Sequence, residues 1–341
     1  MHYKFLTIIL TIMIKSRSLL SSSLDDLGEA TTKTFSFETT EQFTNGNSDQ
    51  DHVIEHEKAC HQDQKPSVLE SREPRMFDQE TESQGVSQIL NALSKEEIAN
   101  MPDANLPLRH LRADKGNIQR AIVRTKYAIQ WRQEFGVENI IKAMHDPNAT
   151  KADPELQRIR DIIKHEASPG KLYVRNHDKE GRAILYMYPV RENTNHPVHN
   201  IMHLVYAIER AIAVTEKNGF EKIVIIMDFE NWSLKHAAPM ETTKRTIHIL
   251  QECYVERMSR VYFTNAPIMF RTFWNMAKPF IDPVTKKKIV FCSSKAGKEE
   301  LKKNFDETKV EKSALGTGTL RPFDVDDYFS SPLHISFDEL C

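Results

Sequence analysis

At 341 residues the chain is long enough for one or two domains around a substantial core. Hydrophobic residues make up 40% and charged residues 28%, as in an ordinary globular protein. With 46 basic against 48 acidic side chains the formal net charge is -2, which gives no reason to expect a nucleic-acid partner.

The chain opens with Met1 to Ile14, MHYKFLTIILTIMI, whose apolar run is shorter than the roughly 20 residues of a spanning helix. It reads as a signal-peptide core, a short interfacial anchor or neither. Cys60, Cys253, Cys292 and Cys341 form no CxxC pair, so reduced thiols and a cytoplasmic setting are expected. Residues 18–85 are rich in Ser, Thr, Glu, Asp and Gln and show no lasting apolar period. They bury too little surface to offset ordering entropy, so 1–85 is read as a hydrophobic segment followed by a disordered tail.

Periodicity begins at Val86, where Val86, Ile89, Leu90 and Leu93 share one helical face. Ser94 and Glu97 are spaced as a capping box. Asn117 opens a stronger helix, with Ile118, Ala121, Ile122, Ala128, Ile129, Trp131 and Phe135 on its buried stripe and Gly136 at its end. Residues 86–165 are therefore read as a small helical module.

After Gly170 four β-rich runs appear: Ala183–Val190, Ile223–Phe229, Val261–Asn265 and Ile289–Cys292. Helical patterns at about 197–218, 239–256 and 267–278 alternate with them, which predicts a mainly parallel sheet with right-handed crossovers. The fold class is thus α/β, with a helical module ahead of the sheet. Residues 166–326 are read as the sheet domain and 327–341 as a C-terminal tail.

Signatures of common α/β enzymes are missing: there is no GxGxxG after a strand, no phosphate loop and no GxSxG elbow. No catalytic residue and no cofactor is therefore assigned. His196, His199 and His203 share a helical face, but no HExxH accompanies them, and a solvated helix start is the preferred reading over a metal site. Asp228 ends the most apolar strand and is read as a partner of loop amides rather than a general base.

The stretch from Val261 to Cys292 carries the most information. Pro267 is placed to start a helix on which Phe270, Phe273, Trp274 and Ala277 fall at i, i+3, i+4 and i+7. Such a helix either packs in a deep core or covers a greasy cavity. After Asp282-Pro283, Thr285 and the run Lys286-Lys287-Lys288 offer a hydroxyl and three ammonium groups, suitable for a phosphate headgroup.

From these motifs the chain resembles the CRAL-TRIO lipid-binding family, in its phosphatidylinositol-transfer branch. The resemblance rests on LPLRHLRADKGNIQRAIVRTKYAIQWRQEFG (106–136), GRAILYMYP (181–189), KIVIIMDFENWSL (222–234), the segment 254–291 and GTLRPFDVDDY (318–328), in family order. It implies an apolar pocket floored by the sheet at Ile223, Ile225 and Met227. It also implies a gate helix over Ala266–Lys278 that uses Phe270, Phe273, Trp274 and Ala277 and swings at a membrane.

The headgroup residues implied are Lys115, Glu256, Thr285 and Lys288. Three positions depart from the family pattern: Val255 replaces a proline, Asp114 replaces an arginine, and Ile223 with Ile225 replace hydroxyl residues that bind phosphatidylcholine. The expected partner is phosphatidylinositol or another hydrophobic lipid, carried by a monomer in transient contact with membranes. The alternative is a lipid sensor binding a sterol, tocopherol-like or other isoprenoid ligand without net transfer.

Overall fold

A computed structural model describes residues 76–233, 236, 240–277 and 286–339. The expectations for residues 1–14, and for most of the tail, lie outside the described residues.

The first helix, α1 (Gln79–Asn91), begins ahead of Val86, correcting the boundary of the expected tail. Its first turn is polar, so apolar periodicity does not reveal it. Asp78 caps it by accepting from Thr81 N at 2.8 Å. Glu82 then holds the Arg112 guanidinium through two bonds of 2.7 and 2.8 Å. A short α2 (Lys95–Ala99) carries the Ser94–Glu97 capping box. It is followed by α3 (Leu106–Ala113) and α4 (Ile118–Phe135), the latter capped by Asn117 and ended by Gly136 at φ 72°. Three further helices, α5 (Val137–His145), α6 (Pro147–Ala152) and α7 (Pro154–Ala167), complete the helical region.

The sheet has five strands in the order β1 (Leu172–His177), β2 (Ala183–Met187), β3 (Ile223–Asp228), β4 (Met258–Thr264) and β5 (Ile289–Phe291). β2 to β5 run parallel, while β1 forms an antiparallel hairpin with β2. β1 was not among the runs picked out in the sequence, because its apolar alternation breaks at Arg175 and Asn176, and Arg175 is buried nonetheless. Its guanidinium pairs with Glu311 and with Asp338, the latter at 2.9 Å, and stacks on Phe337 at 4.7 Å.

Three crossover helices join the parallel strands: α8 (Pro197–Glu216), α9 (Met240–Glu252) and α10 (Ile268–Ala277). Right-handed connections between neighbouring strands place all three on one face. On that face Ile225 pairs with Val261 and Met227 with Phe263. The other face carries Tyr186, Ile226 and Tyr262. It is covered by the segment after α11 (Lys295–Asn304), with Phe305 edge-on to Tyr262 at 5.0 Å and Glu311 N donating to the Tyr186 hydroxyl at 3.1 Å.

Residues 327–339 are not a loose tail, which corrects that boundary. Helix α12 (Val325–Ser330) and the following turn bury Tyr328, Phe329 and Phe337. The buried Arg210 of α8 donates to the carbonyls of Tyr328 and Ile335, and Phe337 N donates to Val174 O at 3.1 Å beside the outer strand. Pro322 and the polar spacing of the segment hide this docking from a reading by periodicity.

A buried ionic seam ties α3 to the sheet. Arg109 pairs with Asp103 at 2.7 Å and Glu221 at 3.3 Å, while Arg257, ahead of β4, reaches Asp103 at 2.9 Å and Glu216 at 2.8 Å. Burial opposes ionisation of Asp103, but Arg109 and Arg257 outweigh it and hold the carboxyl well below its ordinary 3.8. A depressed carboxyl stabilises the fold above 3.8 and loses that contribution as the pH falls through and below that value. Asp103→Asn should cost about 3 kcal/mol in urea unfolding at pH 7. The gap to wild type should narrow below pH 4, roughly where the unfolded carboxyl protonates; a gap independent of pH would contradict this assignment.

Candidate functional site

The strand β4 is preceded by Tyr254-Val255-Glu256-Arg257, and its neighbours fix where Glu256 points. The Tyr254 hydroxyl donates to Glu209 Oε1 of α8 at 2.6 Å, Val255 is buried, and Arg257 is locked in the seam. Between these anchors Glu256 takes φ 56°, a left-handed conformation that a non-glycine residue adopts only when its surroundings impose it. Its carboxylate lies 3.8 Å from the ammonium groups of both Lys222 and Lys288. Lys288 also donates to Met258 O at 3.2 Å.

Glu256 and Lys288, both singled out in the sequence, are thus brought together, and Lys222 joins them. Lys222 had no sequence signal beyond standing one residue before an apolar strand. Lys115 occupies an exposed left-handed turn after α3, at φ 53°. Among the described residues it makes no side-chain contact with Glu256 or Lys288. Thr285 lies outside the described residues. Asp114, beside Lys115, is buried and pairs with Arg124 at 3.1 Å and Arg120 at 3.4 Å. Arg124 in turn donates to Gln251 O at 2.6 Å and Glu252 at 2.8 Å, so the departure at Asp114 anchors α4 to the end of α9.

On the opposite flank α10 lies against the sheet through its rings. Phe270 is centred 4.8 Å from Phe229 and 5.2 Å from Phe263, and Trp274 5.6 Å from Phe291. Both are buried, whereas Ile268 at the start of the helix is 82% exposed. Phe273 and Ala277 lie on the same helix, and no placement of their side chains is described. Ile223 and Ile225 are buried and Met227 is half-buried, with Ile225 and Met227 on the α10 side of β3. Phe270 and Trp274 thus pack on the aromatic rings of the sheet.

The remaining candidates resolve into structural roles. Asp228 is buried and accepts from the Thr264 hydroxyl at 3.1 Å, Asn265 Nδ2 at 2.8 Å and Glu230 N at 3.1 Å, the loop-holding role expected of it. His196 is exposed and caps α8 by accepting from His199 N at 3.3 Å, while His203, one to two turns further along, is fully buried. Among the described residues no group of His, Cys, Asp or Glu is arranged to hold a metal. No described helix is long and apolar enough to cross a membrane.

Comparison with known proteins matches residues 167–316 to the CRAL/TRIO domain. A CRAL-TRIO domain-containing protein of Schizosaccharomyces pombe is 33% identical over 201 residues, 58% of this chain and 18% of that protein. The phosphatidylinositol transfer protein PDR17 of Saccharomyces cerevisiae is 30% identical over 189 residues, 54% of this chain and 51% of that protein. The SEC14 cytosolic factor of Schizosaccharomyces pombe is 30% identical over 205 residues, 57% of this chain and 68% of that protein. The chain belongs to the CRAL/TRIO family. It spans less than two thirds of the length of the first two of these relatives.

Within this CRAL/TRIO fold the buried histidine has a measurable consequence. Burial, with Lys171 nearby, lowers His203 from its ordinary 6.5 to about 3. The unfolded chain takes up a proton near 6.5 that the folded chain refuses, so stability falls as the pH drops from 6.5 toward 3. His203→Leu should flatten the loss of unfolding free energy between pH 7.5 and pH 5, values chosen to straddle roughly the unfolded pKa. An unchanged slope would mean that the imidazole takes up its proton alike in the folded and the unfolded chain.

Proposed function

We propose that the chain encloses one membrane lipid, phosphatidylinositol, and exchanges it with bilayers through movement of α10, without catalysing a reaction. The single observation that carries this reading is the meeting of Glu256 and Lys288 at the strand ends of a CRAL/TRIO sheet. A carboxylate that accepts from inositol hydroxyls, next to ammonium groups that attract a phosphodiester, suits that headgroup. Relatives named as phosphatidylinositol transfer protein and cytosolic factor support a cytoplasmic lipid carrier; its monomeric state and peripheral contact with membranes are part of the same proposal.

Magnitudes dictate the rest. Exposing two acyl chains of roughly 16 carbons each to water costs about 25 kcal/mol, at about 0.8 kcal/mol per methylene. A carrier must therefore cover nearly all of that surface. The ring contacts of Phe270 and Trp274 are individually worth about 0.5–1.5 kcal/mol beyond burial. Exchanging them for lipid chains replaces one apolar partner by another, so α10 parts from the sheet at small net cost only where hydrocarbon is at hand. Ile268, exposed at the head of α10, is the first side chain to meet it.

A second reading, a sensor holding a sterol, tocopherol-like or other isoprenoid ligand, draws on the fully apolar β3 surface at Ile223 and Ile225. Assays with donor and acceptor vesicles separate the two, because a sensor binds lipid without relocating it. Phe273→Asp with Trp274→Asp should abolish transfer and leave circular dichroism unchanged; transfer at the wild-type rate would refute the gate. Lys288→Ala combined with Lys115→Ala should lower phosphatidylinositol occupancy selectively in native mass spectrometry of protein purified from cells. Undiminished occupancy would remove these lysines from the headgroup site.

A further inference from the structure

The sheet face turned away from α10 holds a polar chamber. A cavity of about 260 Å³ opens at the N-terminal ends of the strands, walled by Arg182, Lys222, Arg260, Tyr262, Lys288 and Asn304. Register fixes its side of the sheet: Arg260 pairs with Val224 and Tyr262 with Ile226, whereas Ile225, Met227 and Phe263 face α10. Its volume is below the roughly 300 Å³ at which pockets for drug-sized ligands begin, so it suits a compact ligand.

Tyr262 is 0% exposed, its ring is held by Phe305, and its hydroxyl has no hydrogen-bond partner among the described residues. Such an orphan is costly unless something in the cavity accepts from it. Burial pushes the phenol up to about 12, with Arg260, Asp178 and Arg182 close enough to act on it. The hydroxyl is therefore a neutral donor set among the charges that line the chamber.

The carboxylates of the wall are already engaged. Asp178 Oδ1 accepts from the backbone N–H groups of Glu180, Gly181 and Arg182, at 2.8–3.0 Å, and Oδ2 from Arg182 at 3.2 Å. Glu180 pairs with Arg182 at 2.6 Å, and Glu300 with Arg260. Arg182, Lys222, Arg260 and Lys288 line the chamber with Asp178 and Glu180, and Glu256 and Glu300 pair with Lys222, Lys288 and Arg260 from beside it. What the Tyr262 hydroxyl lacks is an acceptor, and an anionic oxygen suits the cations around it.

We propose that this chamber binds a phosphate group, carried as inorganic phosphate, a soluble monoester or a phosphorylated lipid headgroup. Tyr262 donates its hydroxyl to one oxygen, and the Arg182 and Arg260 guanidinium groups with the Lys222 ammonium supply the charge. The chamber shares Lys222 and Lys288 with the lipid reading above, while Tyr262, Arg182 and Arg260 take no part in that reading and carry the test.

The full chain tests this by thermal unfolding against inorganic phosphate and myo-inositol 1-phosphate, with chloride at matched ionic strength as reference. Wild type should be stabilised saturably by the phosphates and not by chloride. Tyr262→Phe removes one oxygen and no charge. It should fold as well as wild type and need on the order of tenfold more phosphate for the same shift, the loss of one hydrogen bond to a charged group. Arg260→Gln should behave likewise. No saturable stabilisation of wild type, or an unchanged midpoint in Tyr262→Phe, would overturn the proposal. Sedimentation with phosphatidylcholine vesicles containing phosphatidylinositol 4-phosphate identifies the source. Binding lost in Tyr262→Phe assigns a lipid headgroup, and binding kept while the soluble phosphate response is lost assigns a free ester.

Discussion

The constraint on which the rest of the structure depends is the burial of the Arg257 guanidinium. A charge withdrawn from water must be repaid by partners on several sides, and here they come from three separate parts of the chain: Asp103 ahead of α3, Glu216 at the end of α8, and the Glu221 carbonyl ahead of β3. Satisfying this one cation therefore sets the position of the helical region relative to the strand ends. It also holds the residue next to it, Glu256, in a backbone conformation that an unconstrained chain would leave. The carboxylate that faces Lys222 and Lys288 is aimed from its backbone and not from a flexible side chain alone.

The two faces of the sheet then divide the labour. The α10 face is aliphatic and aromatic, and its contacts are of a kind that hydrocarbon can substitute without loss. The far face carries a layer of tyrosines, three of whose hydroxyls are tied to the covering segment: Tyr173 to Glu311 at 2.8 Å, Tyr186 to Glu311 N at 3.1 Å and Tyr188 to Ser313 at 3.0 Å. Directional bonds of that sort have no equivalent in lipid, so under the proposed exchange this face stays closed while the other parts. Rigidity on one side and exchangeability on the other follow from the alternation of side chains along the same strands.

Much of this was legible in the sequence, and the rest was hidden for identifiable reasons. The four parallel strands were visible because a strand covered on both faces is continuously apolar, as Ile223 to Met227 is. The Ser94–Glu97 box and the Asn117 and Gly136 helix ends were visible because caps are local chemistry. What escaped was held together by charge across long separations. The first turn of α1 depends on Glu82 meeting Arg112, β1 on Arg175 meeting Glu311 and Asp338, and the docking of 327–339 on Arg210. A buried arginine reads as a surface residue until its partners are known. At the site, motif resemblance located Glu256 and Lys288, but Lys222 came into view only with the strand register, and Lys115 stands apart from both.

The segment around Phe337 has a consequence for life in solution. An outer strand with free amides is a template for pairing with another molecule, and a protein with an exchangeable greasy face is exposed to that hazard twice over. Here Phe337 N occupies Val174 O and runs parallel to Arg175, shielding one margin of the sheet, while β5 at the other margin is only three residues long. The last turn of the chain thus serves as a selvedge, keeping the sheet from growing by recruitment of a neighbour.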